Sequence, residues 1–279
     1  MSYQLQLARA GTTLLSLIVF AMVAPRSRAD SQPAPVREAG IDVVLDAGHG
    51  GSNSGSPGRG EIYEKRVTLA LARQVRSRLE SVGLRVAMTR SHDVYVPIRA
   101  RARMANAMQP KCFVSIHTNA SPDHSRHGVE TYLLSRDAID IRARRAAREA
   151  SSDADAIVAD LAVLDAARGS LRLAGLLQRQ LVGGPALHPD GLLYRPTDRG
   201  VRQAAHDVLA DAAVPAVLVE AGFLDHPTEG RLLATVEGQA QVADRIAAAI
   251  ITFVRGPNGV VTGARAMAPV TLARLGDAR

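Results

Sequence analysis

Four residues of this sequence are of types that could do chemistry together: His49, Glu64, His117 and Glu220. Two imidazoles and one carboxylate, from His49, His117 and Glu64, make a sound ligand set for a catalytic metal with one position left for water. With neutral histidines and an ionised Glu64, a divalent ion there would keep one net positive charge. That is enough to acidify a water and polarise a carbonyl. Glu220 could then take the proton from the water and pass it to a leaving amine. Each residue also has an ordinary role open to it. A strand-end histidine is commonly a hydrogen-bonded surface residue, Glu64 could complement a helix dipole, and Glu220 could pair with one of the many arginines. The elements that carry them favour a shared site.

Residues 41–51 (IDVVLDAGHGG) read as a buried strand, rich in β-branched residues, that runs into a histidine flanked by Gly48, Gly50 and Gly51. Such glycines allow a sharp turn, and the carboxyl end of a strand is where α/β folds place their chemistry. Residues 52–60 form a Gly/Ser-rich loop. From Glu64 to Val82, apolar residues at 67, 71, 75, 79 and 82 mark an amphipathic helix that Gly83 ends. A strand at 84–88, a helix over 93–108 that takes hold after Pro97, and a third strand at 111–117 (KCFVSIH) come next. This alternation implies an α/β fold: a mostly parallel central sheet flanked by helices on both faces, in a single domain. In a parallel sheet the strand ends share one edge, and the first helix must begin near it. His49, Glu64 and His117 therefore converge, and residues 215–219 (PAVLV), a later strand, deliver Glu220.

The remaining segments are less distinctive. Residues 128–134 (GVETYLL) predict a fourth strand, and 139–181 read as helix throughout, with a break near Gly169 where Ser170 could cap the second helical piece. Residues 183–200 give no clear assignment. Helices over 228–233 and 239–254 close the domain, and 256–279, without periodicity, read as a disordered tail.

Composition narrows the partners. The chain of 279 residues is 47% hydrophobic, enough for a full core, but only 3% aromatic with no Trp, which argues against a sugar-stacking lectin or a single-strand binder. A net charge of +7 favours an anionic partner. No basic run is interleaved with aromatics, so an acidic polymer such as a bacterial wall is preferred to nucleic acid. Cys112, in the apolar run CFVSI, has no second cysteine to pair with and reads as a core residue. Arg9, the apolar run at 11–24 and Ser27-Arg28-Ala29 form a signal-peptide pattern with a cut before Asp30. The expected organisation is a signal peptide at 1–29, a linker at 30–40, a catalytic domain at 41–255 and the tail at 256–279. An uncleaved anchor is the alternative; no later stretch is long and apolar enough to span a membrane.

The ordered motifs DAGHGG, YEKRVTLALA after the glycine-rich loop, FVSIHTNA and VPAVLVEAGFLDHP resemble those of the zinc-dependent N-acetylmuramoyl-L-alanine amidases of the type-3 amidase family. The resemblance covers about residues 41–254. It implies one zinc ion per chain held by His49, Glu64 and His117, with Glu220 as general base and Asn119 and Gly50 shaping the site. The implied substrate is peptidoglycan, cut at the amide between the lactyl group of N-acetylmuramic acid and L-alanine. A monomer in the periplasm or outside the cell, without nucleic acid and with a protein activator as a candidate partner, completes the expectation. Ala47 stands where many relatives have proline, a change of little weight at a turn. Some relatives carry an extra helix that plugs the zinc site, and Glu149, the one glutamate in 142–181, is the candidate for such a self-inhibitory contact. A plain pair of packing helices is the other reading. Two further functions stay open: a zinc peptidase cutting within the stem peptide, and a non-catalytic cell-wall or division scaffold. The intact set of four residues argues against the scaffold.

Overall fold

The computed structural model describes residues 40–256 apart from Arg59, Glu61, Pro185, Pro189 and Leu192. The expected signal segment, nearly all of the linker and nearly all of the tail lie outside the described residues. No helix among the described residues is long and apolar enough to cross a membrane.

The first strand, β1 (Val43–Ala47), is buried along its whole length, as its β-branched run requires of an interior strand. Helix α1 (Glu64–Ser81) turns Val67, Leu71, Val75 and Leu79 inward, and their spacing of four makes that stripe one face. Then come β2 (Val86–Met88), α2 (Ile98–Met108), β3 (Cys112–Asn119) and β4 (Val129–Leu134). Helices α3 (Arg136–Glu149) and α4 (Asp153–Val182) precede a small hairpin of β5 (Ala186–Leu187) and β6 (Leu193–Tyr194). The chain closes with β7 (Asp198–Ala204), α5 (Asp207–Ala210), β8 (Ala216–Phe223), α6 (Pro227–Ala234) and α7 (Val236–Arg255). The main sheet has six strands in the order β2-β1-β3-β8-β4-β7. Strands β2, β1, β3 and β8 are mutually parallel, whereas β4 runs antiparallel to β8 and carries β7 parallel to itself.

Alternation along the strands divides the core between the faces of the sheet. Val43 and Leu45 join Leu71, Leu173 and Ile246 on the side of α1, α4 and α7. Val44 and Phe113 join Ala102 and Leu209 on the side of α2 and α5. The mostly parallel sheet with helices on both faces is therefore as expected. Cys112 is fully buried in the core, and burial pushes its thiol up to about 12.

Two segments depart from expectation. The helical tract does not break at Gly169; it breaks at residues 150–152, where Ser152 caps α4 by accepting from the Asp155 amide at 3.1 Å. Gly169 is inside α4 because Pro215, at the entry to β8, packs against it: a Cβ there would stand 2.6 Å from Pro215 Cγ. Ser170 is no cap either. Its Oγ donates to the Ala166 carbonyl at 2.8 Å and accepts from the Ala216 amide at 2.9 Å. Alanine is favoured over glycine in a helix interior by about 1 kcal/mol. Gly169→Ala is nevertheless expected to lower the melting temperature, whereas Gly175→Ala, facing only the flexible end of Arg179, should raise it. Thermal melts of both variants check the contrast; a stabilised Gly169→Ala would show that Pro215 yields.

The second departure is the unassigned stretch at 183–200, which holds the small hairpin and the start of β7. Strand β7 lies at the sheet edge and buries none of its residues fully, so no apolar alternation announced it.

Candidate active site and metal centre

Strands β1, β3 and β8 lie side by side and parallel, so their carboxyl ends meet at one edge. His49 sits two residues past β1, His117 near the end of β3 and Glu220 on β8, with His117 and Glu220 as register partners. Glu64 is the first residue of α1. Close packing at this edge needs glycine: a Cβ on Gly48 would stand 2.4 Å from the His117 ring. Gly50, at φ +124°, would meet the Val94 carbonyl at 2.2 Å if it carried a Cβ, so the loop needs glycine there. His49 itself is held at φ +60°, a left-handed conformation uncommon outside glycine.

Glu64 is 2% exposed and joins the two imidazoles: His49 Nε2 lies 3.0 Å from Oε2, and His117 Nδ1 lies 2.9 Å from Oε1. One ligand atom from each of the three falls within 4.8 Å of the others, a group that could hold a metal ion. Backbone amides aim the carboxylate, with Thr118 N donating to Oε1 at 3.0 Å and Ser56 N to Oε2 at 2.8 Å. Burial works against ionisation of Glu64, but hydrogen bonds and charge from His117 and His49 outweigh it and hold the carboxyl well below its usual range. For His117, burial favours the neutral ring, and the Glu64 carboxylate more than reverses this.

Glu220 is different in kind. Its Oε2 is buried and makes no hydrogen bond among the described residues. Burial pushes its pKa up to about 7; the His117 charge opposes this, and Glu64 and Glu130 add to it. A carboxyl poised near neutrality, with an oxygen unclaimed by the protein, suits transfer of a proton in either direction. It lines a cleft of about 270 Å³ together with His49, His117, Tyr95, Arg101 and His206.

Several residues that support this edge carry no mark in the sequence. Asn53 Oδ1 lies 2.9 Å from His49 Nδ1 and so fixes that ring. Arg101, 4% exposed, donates to the carbonyls of Ala47 and His49 at 2.8 Å each and to Asp46 at 2.8 Å. Arg90 binds the Ala47 and Gly48 carbonyls at 2.8 and 2.7 Å. His206 stands edge-on to Tyr132 at 4.7 Å, its Nε2 buried without a hydrogen bond among the described residues, and burial together with the His117 charge lowers its pKa against the pull of Asp207. In a chain this rich in arginine nothing local distinguishes the two that turn inward. Glu130 did carry a signal, as a lone charge within the apolar run GVETYLL.

The remaining predicted residues separate. Asn119 turns its amide to Glu130, donating from Nδ2 to Oε1 at 2.9 Å, and thus shapes the row beside the cleft. Glu149 is not brought to the histidines. It ends α3, pairs with Arg145 one turn earlier at 2.9 Å, and lines a separate cleft with Arg103, Arg142 and Asp211 that shares no residue with the first. The structure thus supports the plain packing pair for these helices rather than a self-inhibitory contact.

An α/β sheet whose carboxyl edge gathers such groups in one cleft suits metal-assisted hydrolysis, and that is the class the fold and site define. Residues 43–252 match the family described as N-acetylmuramoyl-L-alanine amidase, type 3, and the chain belongs to that family. It is similar to N-acetylmuramoyl-L-alanine amidase AmiA of Escherichia coli, 31% identical over 243 residues, covering 81% of this chain and 81% of the relative. With AmiC of Neisseria meningitidis it shares 31% over 221 residues, or 76% of this chain, and spans about half (52%) of that relative's length. Among solved structures, AmiC2 of Nostoc punctiforme superposes with a TM-score of 0.60 at 27% identity, covering 77% of this chain and 98% of that one. The family expected from the motifs and the fold class expected from the alternation of strands and helices are both borne out.

Proposed function

We propose that this chain is a zinc enzyme that hydrolyses the amide between the lactyl group of N-acetylmuramic acid and the L-alanine of the stem peptide in peptidoglycan. The observation that carries the reading is the unclaimed Glu220 oxygen beside the His–Glu–His group in one cleft. Two imidazoles and a carboxylate suit zinc, and the three ligand atoms are close enough together to share one ion. Zinc held by His49, Glu64 and His117 would supply the Lewis acidity that acidifies an attacking water and polarises the amide carbonyl. Glu220 takes the proton of that water as it attacks and returns it to the departing L-alanine nitrogen. Asn53 holds the His49 ring, and the Thr118 and Ser56 amides hold Glu64, so little reorganisation is needed as charge develops.

The same reading makes this an exported cell-wall enzyme, because its substrate lies outside the cytoplasm and residues 1–29 carry the signal pattern. The positive net charge, +7 for the full chain and +4 without the three arginines of residues 1–29, supplies attraction to an anionic wall, so sedimentation with purified sacculi should weaken as salt is raised. The decisive experiment is mass spectrometry of products released from purified peptidoglycan. Free stem peptides beginning at L-alanine are expected, their release lost on chelation and restored by zinc. Shortened peptides still joined to sugar would instead place the cut within the stem, and release that survives complete metal removal would refute the metal chemistry.

A further inference from the structure

Beyond the four residues of the cleft, the catalytic edge continues across the sheet. His117 on β3, Glu220 on β8 and Glu130 on β4 are successive register partners, so their side chains stand in one row on one face. Glu130 is 2% exposed and meets Asn119 Nδ2 at 2.9 Å, Arg202 Nε at 2.9 Å and Arg199 Nε at 3.2 Å, with the Tyr132 hydroxyl as a further, uncharged partner. One buried carboxylate thus anchors two guanidiniums and leaves one positive charge in surplus at the end of the row. Arg199 is further fixed by stacking on Phe223, 5.1 Å from the ring centroid, and Arg202 Nε also reaches the Arg199 carbonyl at 3.2 Å. Each arginine uses only its Nε in these bonds. The terminal nitrogens make no hydrogen bond to the protein among the described residues, and the side chains are 22% and 48% exposed. Two oriented, incompletely used guanidiniums beside a catalytic carboxyl are suited to grip a carboxylate.

We propose that Arg199 and Arg202 form a carboxylate-recognition subsite for the peptide on the far side of the scissile amide. This rests on the amidase reading above. Distance supports it: adjacent strands lie about 4.8 Å apart, so Glu130 stands roughly 10 Å from His117, two strands away. An extended peptide advances about 3.3–3.6 Å per residue, so the first three residues of a stem that starts at the cleft span the distance to Glu130 and its arginines. Those residues offer carboxylates: the α-carboxyl of an iso-linked acidic residue at the second position, or the side-chain carboxyl of a diamino acid at the third. Amidation of either removes the charge while keeping the shape.

The test uses the zinc-loaded enzyme and muramyl peptides prepared with each of the two carboxylates free or amidated. Amidating one of them should lower kcat/KM by about tenfold or more, the size of losing a charge-assisted pair. Which amidation does so identifies the residue recognised. In Arg202→Gln, which leaves Arg199 to neutralise Glu130, the ratio between free and amidated substrates should fall towards one. A purely structural role for Arg202 would lower both substrates together and leave the ratio unchanged. Equal turnover of all substrates by the wild type, a comparison that needs no variant, would overturn the subsite, as would a preference that persists in a folded Arg202→Gln. Failure of the wild type to cleave any of them would instead sink the amidase reading.

Discussion

Glu220→Gln is expected to lower turnover on peptidoglycan by about 10²–10⁴-fold, the usual range for loss of a positioned acid–base group, while leaving bound metal unchanged. The residue stands one strand from His117 and outside the group of ligand atoms, so glutamine does not take a ligand away. What it removes is the capacity to accept a proton. Glutamine has nearly the same shape and carries no charge, so the orphaned Oε2 position is filled without a new buried ion. Burial holds the Glu220 pKa up to about 7, and replacing the carboxyl with an amide relieves that site of desolvation. The variant should therefore fold at least as well as the parent. Metal content by elemental analysis, melting temperature and product release together check the prediction. Substantial activity in a folded, metal-loaded Glu220→Gln protein would mean that another group carries the proton, and His206, an imidazole of lowered pKa in the same cleft, is the next candidate. His117→Ala should differ by losing metal and activity together.

Asp46→Ala is expected to have the largest effect on stability, about 3–5 kcal/mol, the cost of removing one partner of a buried ion pair. Asp46 is fully buried and accepts from Arg101 Nη1 at 2.8 Å, from Ser115 Oγ at 2.6 Å and from Thr89 Oγ1. Without it, a guanidinium 4% exposed keeps only carbonyl partners. The damage should also spread to the site. Arg101 binds the carbonyls of Ala47 and His49, and these fix the left-handed turn that presents the His49 ring. Thermal melts of the metal-free protein should show a fall in Tm on the order of 10 °C, and zinc affinity should weaken in parallel. Asp46→Asn, which keeps an acceptor but not the charge, should lie between. A shift of under about 2 °C for Asp46→Ala would mean that the site relaxes or admits water around Arg101.

Both variants concern the same edge of the sheet, and they show how differently its parts could be read. His49, Glu64, His117 and Glu220 were legible because local sequence marks the elements that carry them: two strands flagged by apolar runs that lead into histidines, a helix start, and a later apolar strand that contains Glu220. The parallel arrangement of β1, β2 and β3 came from their alternation with helices, and with it the meeting of residues 15 and 53 apart from Glu64 in the chain. Asp46 was inside the same motif but looked like any polar residue before a turn, because its partners, Thr89, Arg101 and Ser115, are 43, 55 and 69 residues away.

The sequence by itself determined which residues of chemically capable types share a sheet edge, since strand and helix periodicity is a local property of side-chain spacing. Only the tertiary structure decided which arginines are buried, that β4 and β7 run against the rest of the sheet, and that Glu149 ends beside Arg145 in another cleft. Pairings between distant segments, and a proline at the entry to β8 that packs on Gly169 of α4, leave no periodic trace in the chain. The physical reason is that a buried charge is tolerated for the partners it meets, and those partners are chosen by the packing of the whole domain.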